Sequence, residues 1–381
     1  MEFNLLVKVV DYAVRANMLN KATSLPMWLK NIIKKFFPKS VLEQKRWEHE
    51  YKTLIKNVKV ADHITSIRLG IITDDMYRYG RFEAACLELG VPYILIDLMS
   101  NDWQQEVLSS ECSAFLAYPF VMNHASKNAY DDRLKFLTDD LKKIVYPSVK
   151  SLWLWESKVR LSDWLKAHKV AHPKTSVFYK KEEAINYINR VSYPIVFKSD
   201  LGATASGVEI IHNKNRAKEL ISICFGNGYL RNGADKNDLQ YGVVLFQEYI
   251  ANTREFRLIK VNNSYFGYEK LKVGEFHSGS HSWKDMRPSD KMLTLTKDIM
   301  DIEGFSSAAI DFFQGEDGVL LVNEVQALFG MVDSFEQCVV DGISGRMVFD
   351  EVTSTWIFEA GIFCQNYLCN QRVLEVLDKL K

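Results

Sequence analysis

The feature that most constrains this fold is a stretch late in the chain, residues 308–326, that reads as two apolar strands around one tight turn. The turn sequence Gly315-Glu-Asp-Gly318 predicts an antiparallel hairpin. Asp311 lies in the first strand, while Glu324 and Gln326 are two residues apart in the second and therefore share a face. If Asp311 points to that face too, three oxygen donors converge as Mg²⁺ ligation requires; otherwise the acidic residues merely face water.

Composition narrows the class of protein. A chain of 381 residues with 47% hydrophobic content can bury a large core in two or three domains. Lys plus Arg and Asp plus Glu both total 48, so no net field attracts nucleic acid, and we expect no nucleic-acid partner. Six cysteines without a C-x-x-C pair indicate a reducing, cytoplasmic setting. No run of about 20 apolar residues predicts a membrane-spanning helix.

Residues 1–60 carry no strand pattern and predict a helical N-terminal segment. Within it, residues 27–37 form an amphipathic basic helix with a tryptophan and two phenylalanines. Two interpretations stay open. The apolar face packs on the protein's own core, or it makes a peripheral contact with the inner face of an anionic membrane.

Residues 61–150 alternate between strand and helix, which predicts a small parallel α/β domain. The pattern predicts strands at 67–73, 91–97 and 112–118, and a helix at 80–89. The loop after the first strand has no G-x-G-x-x-G sequence, so NAD is not assigned to this domain.

Residues 151–245 begin with a helix through Leu165 that carries Lys158, and continue as strand, small-residue loop and strand. Small residues let backbone amides approach a polyphosphate. The candidates for that contact are Lys198, Gly202, Ser206 and Gly207. The alternative is an ordinary hairpin with a surface lysine.

The segment 246–350 begins within an apolar strand that the sequence predicts at 243–250. Backbone groups at 248–250 are placed to pair with an adenine edge. A linker then carries Glu255, which could accept ribose hydroxyls, and Arg257. Two further strands bear Lys270 and precede a polar loop, 275–288, whose His277 and His281 are either substrate contacts or solvated side chains. The tail, 351–381, predicts a closing C-terminal helix.

Taken in order, these motifs resemble the ATP-grasp superfamily in its glutathione-synthetase-like, carboxylate–amine ligase branch. The resemblance covers about residues 61–350. The motifs that carry it are Lys158, Lys198, the hinge Gln247, Glu248, Tyr249 and Ile250, the triplet Glu255-Phe-Arg257, and Asp311 with Glu324 and Gln326. It implies an α/β (α+β) ATP-grasp fold. The implied parts are a helical segment 1–60, a pre-ATP-grasp domain 61–150, a subdomain with a phosphate flap 151–245, a metal-binding subdomain 246–350 and a helix 351–381.

Two positions depart from the family pattern. Gln326 stands where the last metal ligand is usually Asn, and Ala309 lies where many members have an Arg that contacts the transferred phosphate. Arg257 or Arg287 must then supply that cation.

The resemblance implies a ligase that joins a small-molecule or glycan carboxylate to an amine through an acyl phosphate, with ATP and Mg²⁺, and homo-oligomers as in many members. The amphipathic segment at 27–37 adds the prediction that the substrate is lipid-linked or belongs to surface polysaccharide or other envelope synthesis. Lys158 and Lys198 would hold phosphates, Asp311, Glu324 and Gln326 the metal, and Arg257, Lys270 or Arg287 the transferred phosphoryl group. Two alternatives stay open: a small-molecule or glycan kinase on the same fold, and a nucleotide-binding protein without catalysis.

Overall fold

A computed structural model describes residues 39–121, 123–202, 205–274, 282–329 and 338–381. The predicted amphipathic helix at 27–37 and the two loop histidines therefore lie outside the described residues. The chain divides into two compact units after Phe120. Within the described part, no helix combines the length and the apolarity that a membrane crossing requires.

The first unit is an alternation of helices and strands. Its elements are α1 (Lys39–Asn57), β1 (Leu69–Ile72), α2 (Gly80–Glu88), β2 (Tyr93–Ile96), α3 (Trp103–Ser109) and β3 (Ala114–Ala117). β1 pairs in parallel with β2 on one side and with β3 on the other. Every residue of β1 is buried, as expected for a parallel strand covered on both faces. The predicted parallel α/β fold of this segment is confirmed.

The second unit contains the remaining elements. Its helices are α4 (His124–Asp139), α5 (Val149–Leu154), α6 (Lys158–Ala167), α7 (Lys181–Ile188), α8 (Lys214–Cys224), α9 (Asp290–Asp301) and α10 (Cys369–Lys379), with a 3₁₀ turn at Gln365–Leu368. Its strands are β4 (Ile144–Tyr146), β5 (Thr175–Phe178), β6 (Ile195–Lys198), β7 (Val208–Ile211), β8 (Tyr229–Leu230), β9 (Leu239–Gln240), β10 (Val244–Glu248), β11 (Arg254–Val261), β12 (Ser264–Lys270), β13 (Trp283–Asp285), β14 (Ser307–Gln314), β15 (Leu320–Gln326), β16 (Cys338–Val340), β17 (Ile343–Asp350) and β18 (Thr355–Ala360).

Two antiparallel sheets dominate this unit. The smaller has the strand order β5-β10-β6-β7, and its core packs Ile195, Phe197 and Phe246 against Leu220 and Ile221 of α8. The larger, which we call the large sheet, has the order β15-β14-β11-β12-β17-β16, with β13 added to β12 and β18 to β17. The predicted hairpin at 308–326 is its β14–β15 pair.

Period-two alternation gives the large sheet two different faces. One face is apolar and packs against α6 and α9 through residues such as Leu161, Leu293 and Ile310. The other carries the charged side chains of β11, β12, β14 and β15 at one end and an apolar cluster around Ile259 and Ala309 at the other. The charged end of this second face positions the candidate site.

The structure corrects several expected elements. The helix predicted through Leu165 is two helices, because the backbone of Glu156 takes a left-handed conformation with φ 59°. Glu255 and Arg257 lie within strand β11, not on a linker. The division after Phe120 assigns residues 121–150 to the second unit, while strand β4 extends the sheet beside β3, so the predicted domain boundary at 150 stays a prediction.

Two more corrections concern the end of the chain. The expected closing helix at 351–381 begins instead with strand β18, whose run of Thr, Trp, Ile and Phe favours a pleated strand, and only α10 is helical beyond the 3₁₀ turn. The expected loop at 275–288 contains β13, which extends the sheet beside β12. The six cysteines are buried, and none is disulfide-bonded.

Candidate active site

Residues from both sheets of the second unit line a cleft of about 800 Å³, counted to its solvent-open mouth. The predicted residues that line it are Lys158, Lys198, Gly202, Gln247, Glu248, Tyr249, Ile250, Glu255 and Glu324. Apolar side chains form its walls: Val196, Val208, Ile210 and Phe313. Volume and lining are those of a small-molecule site with a few convergent polar groups.

Lys198 lies at the end of β6 and reaches into the cleft with its ammonium buried. Its Nζ donates to Oδ1 of Asn323 at 2.7 Å. Burial lowers the pKa of Lys198 to about 8, although the charge of Glu324 acts in the opposite direction. Among the described residues no carboxylate forms an ion pair with this lysine.

Lys158 is the first residue of α6, and the start of that helix is fixed to the loop after β6. Oδ1 of Asp200 accepts from the Ser157 hydroxyl at 2.8 Å and from the Val159 N–H at 2.9 Å. Nζ of Lys158 donates to the carbonyl of Gly202 at 2.6 Å. Within the described part of the chain, its ammonium likewise has no carboxylate partner, so two cations meet the cleft with neutral partners only.

The small-residue loop after β6 is held tightly at its base. The Ser199 N–H donates to the Gly207 carbonyl at 2.8 Å, and a Cβ on Gly207 would lie 1.8 Å from Oγ of Ser199. Gly202 has φ 139°, a conformation that side chains disfavour. Ser206 lies beside Gly202, and thus Ser206 and Gly207 shape the loop while Gly202 lines the cleft. Residues 203–204 lie outside the described residues.

The hinge after β10 is anchored to β5. Nε2 of Gln247 donates to Oγ1 of Thr175 at 2.9 Å. The Glu248 N–H donates to the Lys174 carbonyl at 2.9 Å, and the Glu248 carboxylate accepts from the Lys174 N–H at 2.7 Å. The N–H of Glu248 is therefore used within the sheet and is not available to adenine.

A network of four charged side chains crosses the three central strands next to the cleft. Strand register places Glu255 opposite Lys270, and Asp311 opposite both Arg257 and Glu324. Arg257 donates to both oxygens of Asp311, with Nε at 2.7 Å and Nη2 at 2.9 Å. Nζ of Lys270 bridges Glu255 at 2.7 Å and Asp311 at 2.5 Å. The two acids and two bases thus hold one another in fixed positions.

The positive charges next to Asp311, and not its burial, determine its ionisation. Burial alone raises the pKa of this carboxyl, but the adjacent guanidinium of Arg257 and ammonium of Lys270 outweigh it and hold the pKa well below its usual range. For Glu255 burial prevails, and its pKa is raised despite the charge of Lys270.

The predicted metal ligands lie on one face but are already hydrogen-bonded. Three donors use three of the roughly four lone-pair directions of Asp311, and Nε2 of Gln326 donates to Oε2 of Glu324 at 2.9 Å. In the described ranges no group of three or more His, Cys, Asp or Glu side chains is arranged to hold a metal. Of the three predicted ligands only Glu324 lines the cleft, so the Mg²⁺ site on Asp311, Glu324 and Gln326 stays a prediction.

Sequence reasoning missed Asn323, the partner of Lys198. Strict alternation would point Asn323 and Glu324 to opposite faces. The β14–β15 register shifts between Asp311 and Phe312, so Asn323 is an extra residue in a bulge, and both side chains reach the cleft. Lys272, Thr253 and Phe313 also line the cleft and were not predicted.

The sequence predicts that Arg287 contacts the transferred phosphoryl group, but the structure pairs it with Asp290 instead. Nη2 of Arg287 donates to Asp290 at 2.9 Å, at the start of α9. In the described residues it forms no ion pair with Asp311 or Glu324. Arg257, which Asp311 holds beside the cleft, remains the candidate that can stand in for the arginine absent at Ala309.

Comparison with known proteins agrees with this geometry. Residues 156–348, just over half of the chain, match the model of a family described as the RimK-like ATP-grasp domain. A stretch of 188 residues is 23% identical to the α-aminoadipate–LysW ligase LysX of Sulfurisphaera tokodaii, covering 45% of this chain and 59% of that protein. Another of 88 residues is 33% identical to the phosphoribosylamine–glycine ligase of Fusobacterium nucleatum, covering 23% and 20%.

The chain thus spans less than two thirds of the length of either relative. Among solved structures, the D-alanine–D-alanine ligase of Bacillus anthracis complexed with ATP is similar in fold, with a TM-score of 0.50 and 14% identity over 70% of this chain and 88% of that one.

Proposed function

The chain belongs to the RimK-like ATP-grasp family, and on that premise we propose that it is an ATP-dependent carboxylate–amine ligase that forms an amide and releases ADP and phosphate. The observation that carries the proposal is the pair Lys158 and Lys198. Two cations in one cleft without a carboxylate partner in the described residues suit a polyphosphate. The relatives described above are named as ligases, which supports the same reaction class.

The cleft supplies a place for each part of the nucleotide. The apolar side chains of Val208, Ile210 and Phe313 would hold the adenine ring, and the backbone of Tyr249 and Ile250 would meet its edge. Glu255 is placed for the ribose. The two ammonium groups and the amides of the loop at 199–207 hold the phosphates.

Mg²⁺ bound at Glu324, Gln326 and Asp311 would neutralise charge on the phosphates. The protein's own part is to hold that set in position. Arg257 and Lys270 hold Asp311 from two sides, which fixes this carboxylate opposite Glu324 in the sheet.

The reaction proceeds in two displacements. An oxygen of the substrate carboxylate attacks the γ-phosphorus of ATP, the bond to the β–γ bridging oxygen breaks, and ADP leaves. The amine nitrogen then attacks the acyl carbon of the acyl phosphate, phosphate leaves, and the nitrogen loses a proton. Arg257 and Lys270 stabilise the negative charge of both transition states, where one preformed donor is typically worth about 3 kcal/mol.

The test is an ADP-release assay with purified protein, ATP, Mg²⁺ and pools of carboxylic acids and amines, followed by mass spectrometry of the products. We expect ADP and phosphate in equal amounts, and a product with the mass of acid plus amine less one water. Lys198→Met should abolish release. Lys260→Met, which removes an ammonium bound to Asp301 away from the cleft, should leave it unchanged.

Two other outcomes would contradict the ligase. A product heavier by one phosphoryl group identifies a kinase. Binding of ATP without turnover in any pool identifies a nucleotide-binding protein that does not catalyse.

We further propose a cytoplasmic enzyme that acts on a carboxylate of an envelope or surface-polysaccharide pathway, and that contacts the membrane through residues 27–37. The basic amphipathic pattern of that segment supports the contact. Flotation with anionic liposomes tests it: equal recovery of the full chain and of a variant with Phe36 and Phe37 replaced by serine would contradict it.

A further inference from the structure

A small hairpin of β8 and β9 supports the loop that follows β6, and the mechanism above does not use it. We call residues 229–240 the back hairpin and residues 199–207 the phosphate loop. Oε1 of Gln240 accepts from the Asp200 N–H at 2.7 Å, and Nε2 of Gln240 donates to the Val243 carbonyl at 3.0 Å. Gln240 is itself buried, so the start of the phosphate loop is fixed to the back hairpin.

Arg231 and Asn232, directly after β8, contact the rest of the phosphate loop. The Asn232 N–H donates to the Ser206 carbonyl at 3.1 Å. The aliphatic stem of Arg231 lies beside two glycines: a Cβ on Gly202 would lie 3.4 Å from Cδ of Arg231, and a Cβ on Gly207 would lie 3.6 Å from its Cβ. Since Gly202 also lines the cleft, Arg231 supports the phosphate loop at a residue that faces the nucleotide.

A buried carboxylate fixes the other end of the Arg231 side chain. Nη2 of Arg231 donates to Oδ2 of Asp238 at 3.0 Å, and only 14% and 5% of these two side chains are exposed. Oδ1 of Asp238 accepts from the His124 N–H at 3.0 Å and lies 2.7 Å from Nδ1 of the same histidine. Burial would raise the pKa of Asp238, but the hydrogen bonds from His124 and Arg231 outweigh it and hold the pKa below its usual value. Asp238 is therefore a charged anchor for Arg231.

A loop of small residues needs such support from outside. Glycine loses more conformational freedom than any other residue when it is ordered, and Gly202 has φ 139°. Backbone amides bind a phosphate most tightly when they are already in place, because ordering them during binding reduces the affinity. The back hairpin provides this order before a nucleotide binds.

We propose that Arg231 is a positioning residue for the nucleotide's phosphates: its stem and its bond to Asp238 hold the phosphate loop where the loop amides meet them. The inference rests on the proposed function, which places the phosphates of ATP at this loop. Arg231 acts through the loop backbone. Its removal should therefore weaken ligands that carry phosphates and leave the contacts of adenine and ribose unchanged.

The test compares ADP with adenosine, which shares the base and the ribose but has no phosphate. Calorimetric titrations in the presence of Mg²⁺ measure the Kd for both in the native chain and in Arg231→Ala. We expect the Kd for ADP to rise about tenfold and the Kd for adenosine to stay within about twofold. Arg231→Lys keeps the stem and a positive charge beside Asp238, and should restore the Kd for ADP to within about threefold of native.

Hydrogen exchange of the free protein tests the positioning without any nucleotide. The Ser199 N–H, which is bonded to the Gly207 carbonyl at 2.8 Å, closes the base of the phosphate loop. In Arg231→Ala this amide should exchange about tenfold faster, while the amides of β14 keep their rate.

Arg216 provides a matched control. It lies on α8, which packs on the smaller sheet, and its guanidinium is also bonded to acids, to Glu209 at 2.7 Å and to Glu219 at 2.8 Å. It does not line the cleft. Arg216→Ala should keep the native Kd for ADP and the native exchange rate at Ser199.

Should Arg231→Ala fail to fold, Asp238→Asn releases the guanidinium with almost no change in volume, and should raise the Kd for ADP about threefold with adenosine unchanged. Three results would overturn the inference: a Kd for ADP in Arg231→Ala within about twofold of native, equal weakening of ADP and adenosine, or unchanged exchange at Ser199. The expected difference between ADP and adenosine, with no ligase product in the turnover assay, would instead contradict the proposed function alone.

Discussion

Two pairs of basic side chains lie at one cleft, and they differ in whether an acidic side chain is bonded to them. Arg257 and Lys270 are held by the buried carboxylates of Asp311 and Glu255. Among the described residues, Lys158 donates to a backbone carbonyl and Lys198 to an amide oxygen, with no carboxylate bonded to either. The first pair is bonded to acids within the protein, which holds both side chains in position for the role proposed above. The second leaves its charge available, and burial has already lowered the pKa of Lys198.

This difference distinguishes a structural ion pair from a binding site: a structural cation is bonded to an acid of the protein, and a binding cation is not. A buried pair costs stability when one partner is removed, because the other is left as an unpaired charge. A buried cation without an acid partner lowers stability by its presence and is retained for its ligand. Substitutions in the two pairs should therefore have opposite signatures.

The largest effect is expected for Asp311→Asn. The variant leaves the guanidinium of Arg257 without its countercharge, and the free energy of unfolding should fall by about 3 kcal/mol. Urea denaturation measures the loss. Asp301→Asn is the control, because Asp301 also accepts from two basic side chains, Lys260 and Lys297, but is half exposed. Its loss should stay below about 1 kcal/mol. Equal losses of unfolding free energy in Asp311→Asn and Asp301→Asn would show that the buried network is worth no more than a half-exposed ion pair.

Lys198→Met should behave differently. It removes a buried charge that has no acid partner in the described part of the chain, and its cost is limited to the hydrogen bond lost by Asn323, about 1 kcal/mol. Relief of desolvation acts in the opposite direction. We expect a change in unfolding free energy within about 1 kcal/mol of zero by the same denaturation experiment. A loss as large as that of Asp311→Asn would show that Lys198 is a structural cation.

A smaller effect follows from the pKa of Lys198, about 8 in the free protein. Below that pH the ammonium is charged and attracts phosphates; above it the free protein loses the proton, which nucleotide binding must restore. The Kd for ADP should therefore be flat near pH 7 and rise up to about tenfold per pH unit above 8. Calorimetry at pH 7, 8 and 9 measures this, and Lys198→Arg should remove the dependence. A flat profile in the native protein would contradict the assignment.

Much of this fold is readable from sequence. The alternation of strand and helix at 67–118 and the hairpin at 308–326 follow from local pattern and turn chemistry, and the structure contains both. The family resemblance carried by the order of Lys158, Lys198, the hinge and Glu324 implies that they share a cleft, and all of them line one.

What could not be read depends on single irregular residues and on distant pairing. A bulge turns Asn323 toward Lys198, and no alternation rule predicts where a bulge falls. The left-handed Glu156 splits one expected helix into two. The strand at 355–360 carries an apolar pattern that suits helix or strand, and its pairing with β17 decides between them.

The most direct test of the central claim is a calorimetric titration of a non-hydrolysable ATP analogue with Mg²⁺ into the native chain and into the Lys158→Met, Lys198→Met double variant. Two lost charge-assisted contacts, each worth about 2 kcal/mol, should weaken binding about 1000-fold, while the native chain binds one nucleotide. A double variant that binds the analogue within about threefold of the native chain would show that the cleft does not hold the phosphates through these lysines.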